Sequence, residues 1–172
     1  KRNNKSKPVD FAKTCPTCKS ILTKVEGEAQ HYCLNHKNCH PQILGRIKHF
    51  ISRKAMNIDG FGTETVERLL ENNMVKNFSD IYYLTKEQIY SLERMGEKSA
   101  KNLINSIIES KNQPFHKVLY SLGIRYVGET VSKKICKEVK SIHELINMTF
   151  DQIILIDEIG EKIGYSLINY FK

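Results

Sequence analysis

The chain lacks any apolar run of the roughly 18 residues that a membrane-crossing helix needs, so no membrane partner is expected. It opens with no charged-then-apolar leader, so nothing is expected to send it out of the cell. Acidic residues are scarce at one end. Residues 1–54 hold 3 Asp/Glu against 12 Lys/Arg, a net of +9, whereas residues 55–172 hold 16 against 15, a net of −1. A positive excess confined to one region is the footprint of a polyanion partner, most often nucleic acid. The competing explanation is ordinary solubilising lysine in a Lys-, Asn- and Ile-heavy composition. Residues 1–10, beginning KRNNKSK, read as a flexible basic entry. At 172 residues there is room for one or two domains with a genuine core.

Cysteine is also sparse, and its placement is uneven. Four of the five fall in residues 15–39, spaced Cys15-x2-Cys18-x14-Cys33-x5-Cys39. The CPTC pair forms a tight knuckle from which two sulfurs point at one ion. Between the pairs, Gly27 stands between Glu26 and Glu28 and is flanked by β-favouring residues, which predicts a short hairpin. The hairpin would fold the second pair back onto the first. Four thiolates at a hairpin base make a tetrahedral zinc site with no open position for water, hence a structural ion. The second pair is wider than a usual knuckle. His31, His36 and His40 lie close, and one of them could replace Cys39. A disulfide or a redox CxxC is the other alternative, without the secretory signal or βαβ context each would want.

Past residue 54 the chain repeats. IDGFGTETVERLL, LERMGEKSAKNLI, IRYVGETVSKKIC and IDEIGEKIGYSLI align on Gly62, Gly96, Gly128 and Gly160, which are 34, 32 and 32 residues apart. The position four before each glycine is apolar (Ile58, Leu92, Ile124, Ile156), as is the position just before it (Phe61, Met95, Val127, Ile159). Four after it stand Val66, Ala100, Ser132 and Gly164, mostly small. Seven and eight after it stand Leu69/Leu70, Leu103/Ile104, Ile135/Cys136 and Leu167/Ile168. This reads as a helix-hairpin-helix. The glycine is expected to supply a positive φ, the small residue a close helix approach, and the apolar pair a core contact. Cys136 is then core and no ligand.

The hairpin would present backbone N–H groups at a helix start to a phosphate oxygen, reading backbone and not bases. The candidate DNA-binding residues are Gly60, Phe61, Gly62, Thr63, Arg94, Met95, Gly96, Lys98, Arg125, Val127, Gly128, Lys133, Gly160 and Lys162. The fourth hairpin, DEIGEK, carries three carboxylates and could be a structural member of its pair. A plain helical solenoid, with the hairpins as mere turns, is the rival reading. The repeats should pair as Ile58–Ile108 and Val118–Phe171, joined by ESKNQPF.

A four-cysteine finger followed by four such motifs resembles the C-terminal half of bacterial NAD-dependent DNA ligases. CPTC, EGEA, HFISRKAMNIDGFG, LERMGEKSAKNL and LGIRYVGE are similar to that family's signatures, in its order. The resemblance implies a mainly α fold: a zinc finger with a short β-hairpin over 11–41, then a tandem helix-hairpin-helix domain over 42–172. Its four motifs would span about 58–74, 92–108, 124–140 and 156–172. It further implies a cytoplasmic, nucleoid-associated monomer that holds duplex DNA, preferably nicked, through its phosphates. Structural zinc would sit on Cys15, Cys18, Cys33 and Cys39. NAD and magnesium are implied for the full-length enzyme, which seals nicks in replication and repair. That family's adenylated lysine lies in Lys-x-Asp-Gly, and the nearest match here, NIDG, has Asn57 in its place. Asp157/Glu158 and Glu26/Glu28 have no base, nucleophile or open metal position beside them. No catalytic residue is therefore expected, and this portion alone should not ligate. The alternative is a helix-hairpin-helix module of another repair or recombination protein, which would lack the finger. A domain whose solenoid binds protein is the third reading.

Overall fold

A computed structural model describes residues 11–25 and 27–172. The expected basic entry over residues 1–10, and Glu26, lie outside the described residues. Backbone contacts divide the chain into two compact units, one running through Ile43 and the other covering Leu44–Lys172.

The first unit is built on a two-stranded antiparallel sheet, β1 (Leu22–Lys24) and β2 (His31–Cys33), with Leu22 opposite Cys33 and Lys24 opposite His31. The hairpin turns at Gly27, whose φ of +76° is a left-handed conformation that glycine adopts without steric cost. An isolated bridge between Thr14 and Ile21 closes the knuckle between them. Inside it Lys19 takes a φ of 60°, and its N–H reaches the Cys15 carbonyl at 3.0 Å.

The helices are α1 (His40–Ile51), α2 (Thr63–Glu71), α3 (Lys86–Tyr90), α4 (Glu97–Ser110), α5 (Phe115–Ser121), α6 (Glu129–Glu138), α7 (Ile142–Asn147), α8 (Phe150–Ile154) and α9 (Glu161–Phe171). A 3-10 helix spans Phe78–Tyr83. The repeat therefore resolves into α1–α2, α3–α4, α5–α6 and α8–α9. The 3-10 helix and α7 are insertions between motifs, and the periodicity did not announce them. After α4, Pro114 caps α5, so the join between the two halves is only residues 111–114.

The apolar positions of the repeat sort by depth. Ile58, Leu92, Ile124 and Ile156 are buried in all four motifs, and so are Leu69, Leu103, Ile135 and Leu167. Burying each side chain of this size contributes roughly 1.5–3 kcal/mol. The next positions, Leu70, Ile104, Cys136 and Ile168, are only partly buried. This corrects the expectation of a core pair: at 100° per residue only one of two adjacent side chains can face the core squarely. Cys136 packs on the rim of the cluster formed by Leu119, Ile124, Val127, Ile135 and Leu167. The small positions do what small residues do. Ala100 and Ser132 are fully buried, and a Cβ on Gly164 would come within 3.0 Å of Ile154 and Phe150.

Candidate metal centre and nucleic-acid interface

The sheet and knuckle bring four sulfurs together. Cys15 Sγ lies 3.9 Å from Cys39 Sγ, Cys18 Sγ lies 3.5 Å from Cys33 Sγ, and all four lie within 4.8 Å of one another. Disulfides are about 2.05 Å long, so these are not bonded pairs. A tetrahedron with metal–sulfur bonds of ~2.3 Å has sulfur–sulfur edges of about 3.8 Å, so the group fits zinc. His40 starts α1 and is exposed, and the sulfur group is complete without a histidine nitrogen. Gln42 donates from Nε2 to the Cys33 carbonyl at 2.6 Å, and the Cys39 N–H bonds the Asn35 carbonyl at 2.9 Å. These bonds fix the second pair against the start of α1. Hydrogen bonding to the side chain and backbone of Ser20 pulls the Cys18 thiol down to about 6, whereas burial pushes Cys39 up to about 12. A metal ion that takes all four as thiolates must displace the Cys39 proton.

The hairpins share one geometry, and it differs from the expected one. Gly62, Gly96, Gly128 and Gly160 have φ of −69°, −77°, −80° and −84°. None is left-handed. The positive φ falls two residues earlier, at Gly60 (92°), Arg94 (63°), Tyr126 (64°) and Glu158 (60°). In three motifs the residue before the glycine bonds back to the residue four before it: Met95 to Leu92, Val127 to Ile124 and Ile159 to Ile156, at 3.0–3.1 Å. The aligned glycine is instead the N-cap of the second helix. Its carbonyl takes the first helical bond, from Val66, Ala100, Ser132 or Gly164.

These glycine caps leave helix starts open. No side chain caps α2, α4, α6 or α9. In contrast Asn77, Thr85, Ser141 and Thr149 cap the 3-10 helix, α3, α7 and α8 with side-chain oxygens. Of the other helices, α5 starts from Pro114, which also offers no side-chain cap. The first N–H groups of a helix have no intrahelical acceptor, and the helix dipole makes that end partly positive. All four glycines are exposed, and a Cβ at Gly96, Gly128 or Gly160 would project into open space. The arrangement can accept an anion at each start.

The flanking side chains differ between motifs. Arg94, Lys98 and Lys162 are exposed, and Arg94 lies 3.7 Å from Glu93. Arg125 stacks over Tyr126 at 5.1 Å. Lys133 is paired with Glu129 at 2.7 Å. Phe61 and Met95 are half-buried, while Val127 is buried. Gly60 and Asp59 are docked on α4, where the Asp59 N–H donates to Ser106 Oγ at 2.7 Å. Glu158 is ion-paired with Lys134 on α6, which ties the fourth hairpin to the third motif.

Comparison with known proteins adds the family. Residues 14–40 match the NAD-dependent DNA ligase C4 zinc finger domain. That observation decides between ligases and other helix-hairpin-helix proteins. The chain carries the C4 zinc finger domain of NAD-dependent DNA ligases together with helix-hairpin-helix domains. Residues 52–107 match the SAM-like helix-hairpin-helix tandem, and residues 117–172 the helix-hairpin-helix motif. Proteins named DNA ligase from Christiangramia forsetii and Flavobacterium psychrophilum are 52% and 50% identical over 99% of the chain, covering 26% of each relative. One from Bacteroides fragilis is 54% identical over 95% of the chain, covering 24% of the relative. The chain thus spans about a quarter of the length of the curated relatives it matches. No helix among the described residues is long and apolar enough to cross a membrane.

A basic grouping in the second unit is hidden by sequence order. Arg46, Lys48, Arg53 and Lys54 precede the repeats but belong to the second unit. Reassigning them leaves a net of +5 up to Ile43 and +3 in Leu44–Lys172, so the repeat unit is not neutral. Arg53 and Lys54 gather with His116, Lys117, Tyr120, Glu129 and Lys133 around one notch of about 420 Å³. No local pattern marks this grouping.

Proposed function

We propose that this chain is the DNA-holding portion of an NAD-dependent DNA ligase. The observation that carries the reading is the set of four exposed, glycine-capped helix starts repeated at 32–34-residue spacing. Backbone N–H groups there grip phosphate oxygens without reading sequence. The candidate residues over Gly60–Thr63, Arg94–Lys98, Arg125–Lys133 and Gly160–Lys162 surround these starts. The acidic fourth hairpin serves its pair more than it serves DNA. Cys15, Cys18, Cys33 and Cys39 hold one zinc ion, which stabilises the finger and takes no part in chemistry. In the whole enzyme, a cytoplasmic bacterial protein, NAD and magnesium would serve nick sealing. This portion contributes grip and orientation, binds as a monomer and does not ligate alone.

The test is fluorescence anisotropy with intact and nicked duplexes of two unrelated sequences, over a salt series. Similar affinity for both sequences and a steep, log-linear loss with salt are expected. A modest preference for the nicked duplex fits a portion that does not itself perform the chemistry. Strong sequence preference would overturn the backbone-only reading, and no DNA affinity together with a salt-insensitive partner would replace it with a protein-binding solenoid.

A further inference from the structure

Arg53 and Lys54, from the connection after α1, meet His116, Lys117 and Tyr120 of α5 and Glu129 and Lys133 of α6 around the notch. Four permanent cations face one carboxylate, a local net of +3 with His116 neutral. Glu129 lies between two lysines, 2.7 Å from Lys133 and 3.4 Å from Lys54. Exposed pairs of this kind stabilise a fold little, and one carboxylate cannot balance four cations. His49 of α1 bonds the Tyr120 carbonyl at 2.8 Å and stacks edge-on against its ring. The floor beneath the cations is thereby fixed without using any of their charge.

Arg53 has a second place. It also lines a groove of about 250 Å³ with Lys48, Gly60, Phe61 and Thr63, beside the first hairpin. One arginine therefore forms a wall common to both depressions. The notch in turn includes Glu129, the first residue of α6 after the Gly128 cap. The start of the second helix in motif 1 and that in motif 3 are connected by this basic track.

We infer that the notch of Arg53, Lys54, Lys117 and Lys133 seats a DNA backbone phosphate by side-chain charge, and that Arg53 makes hairpins 1 and 3 one continuous phosphate path. The inference rests on the DNA-holding reading above and deepens it. Glu129 is a built-in competitor: its carboxylate occupies Lys133 and Lys54 in free protein, and the entering phosphate takes them over. Hairpins 1 and 3 then engage the same run of backbone. The fourth hairpin, whose Glu158 is committed to Lys134, stays outside that path.

The experiment is DNA binding over a salt series by wild type, Arg53→Ala/Lys117→Ala and Glu129→Gln. A charge-matched control, Lys76→Ala/Lys111→Ala, removes two exposed cations that line neither depression. The notch pair should lower the slope of log affinity against log salt by about one to two, with roughly tenfold weaker binding near 0.1 M salt. The control should leave the slope within about 0.5 of wild type. Glu129→Gln should bind DNA about threefold tighter, because a charge that repels phosphate is gone. Should the alanine pair fail to fold by circular dichroism, Glu129→Gln alone decides. If the notch pair and Glu129→Gln both match wild type, the notch is no phosphate seat and the DNA-holding reading survives. If wild type itself does not bind DNA, that reading falls and takes the notch with it. A titration with inorganic phosphate separates a free-anion site. Shifts at His116 with DNA affinity unchanged in the notch pair would overturn the DNA assignment.

Discussion

The five cysteines divide into the sulfur group of Cys15, Cys18, Cys33 and Cys39 and the separate Cys136. Cys33→Ala should abolish stoichiometric zinc, and Cys136→Ala should leave one ion per chain, as metal analysis of the purified variants will read. Zinc kept in Cys39→Ala but lost in His40→Ala would overturn the four-sulfur ligand set. Burial pushes the Cys136 thiol up to about 11. At pH 8 only about one molecule in a thousand carries the thiolate there, against about a tenth for an ordinary thiol at 9.0. With zinc bound, alkylation of Cys136 should be slow at pH 8 and rise about tenfold per pH unit. The linked stability has a definite sign. Protection of this thiol is fully present below its ordinary 9.0 and is lost as pH rises through about 11. The small buried positions give a further expectation. Gly164→Ala places a methyl within 3.0 Å of Phe150 and Ile154, and Ala100→Leu overfills a fully buried site. Each should destabilise by roughly 1–3 kcal/mol in denaturant melts.

Among the elements, the glycine caps separate two roles that glycine can play. Because Gly96 and Gly128 are not left-handed and a Cβ there meets open space, Gly96→Ala and Gly128→Ala should fold with melting temperatures near wild type. They should nonetheless weaken DNA binding several-fold, since a methyl would stand where the proposed phosphate approaches the helix start. Affinity equal to wild type would make the hairpins simple turns. The repeat was legible because Leu69, Leu103, Ile135 and Leu167 recur at one phase and must be buried to form a core. What one sequence could not separate was the turn from the cap. Glycine recurs at Gly62, Gly96, Gly128 and Gly160, so it attracted the positive φ. The strained position two residues before is Gly60 once and Arg94, Tyr126 and Glu158 otherwise, with no shared chemistry to betray it. The 3-10 helix and α7 occupy equivalent places 64 residues apart, capped by Asn77 and Ser141 and burying Ile81 and Leu145, but they are short and recur only once, outside the glycine-centred pattern. The cysteine cluster was legible because its members are close in sequence. The basic notch was not, because Arg53 and Lys117 are joined only by tertiary packing.

For the molecule as a whole, the two units predict separable responses to chelation. Removing zinc should unfold the sheet that carries Cys33, while Leu44–Lys172 keeps its own buried core and its helical circular dichroism. Loss of the entire helical signal on chelation would contradict that independence. The contrast between helix starts has a consequence on another axis, time. At Gln88 and Gln152 the amides are bonded to Thr85 and Thr149 hydroxyls, at 3.2 and 3.3 Å, within the same molecule as the uncapped starts after Gly96 and Gly128. Hydrogen–deuterium exchange therefore comes with an internal standard. In free protein the amides of residues 97–99 and 129–131 should exchange fastest, with those of Gln88 and Gln152 slower. Adding duplex DNA should slow the first set and leave the second where it was, turning an inventory of capping residues into a clock that marks which helix starts are gripping.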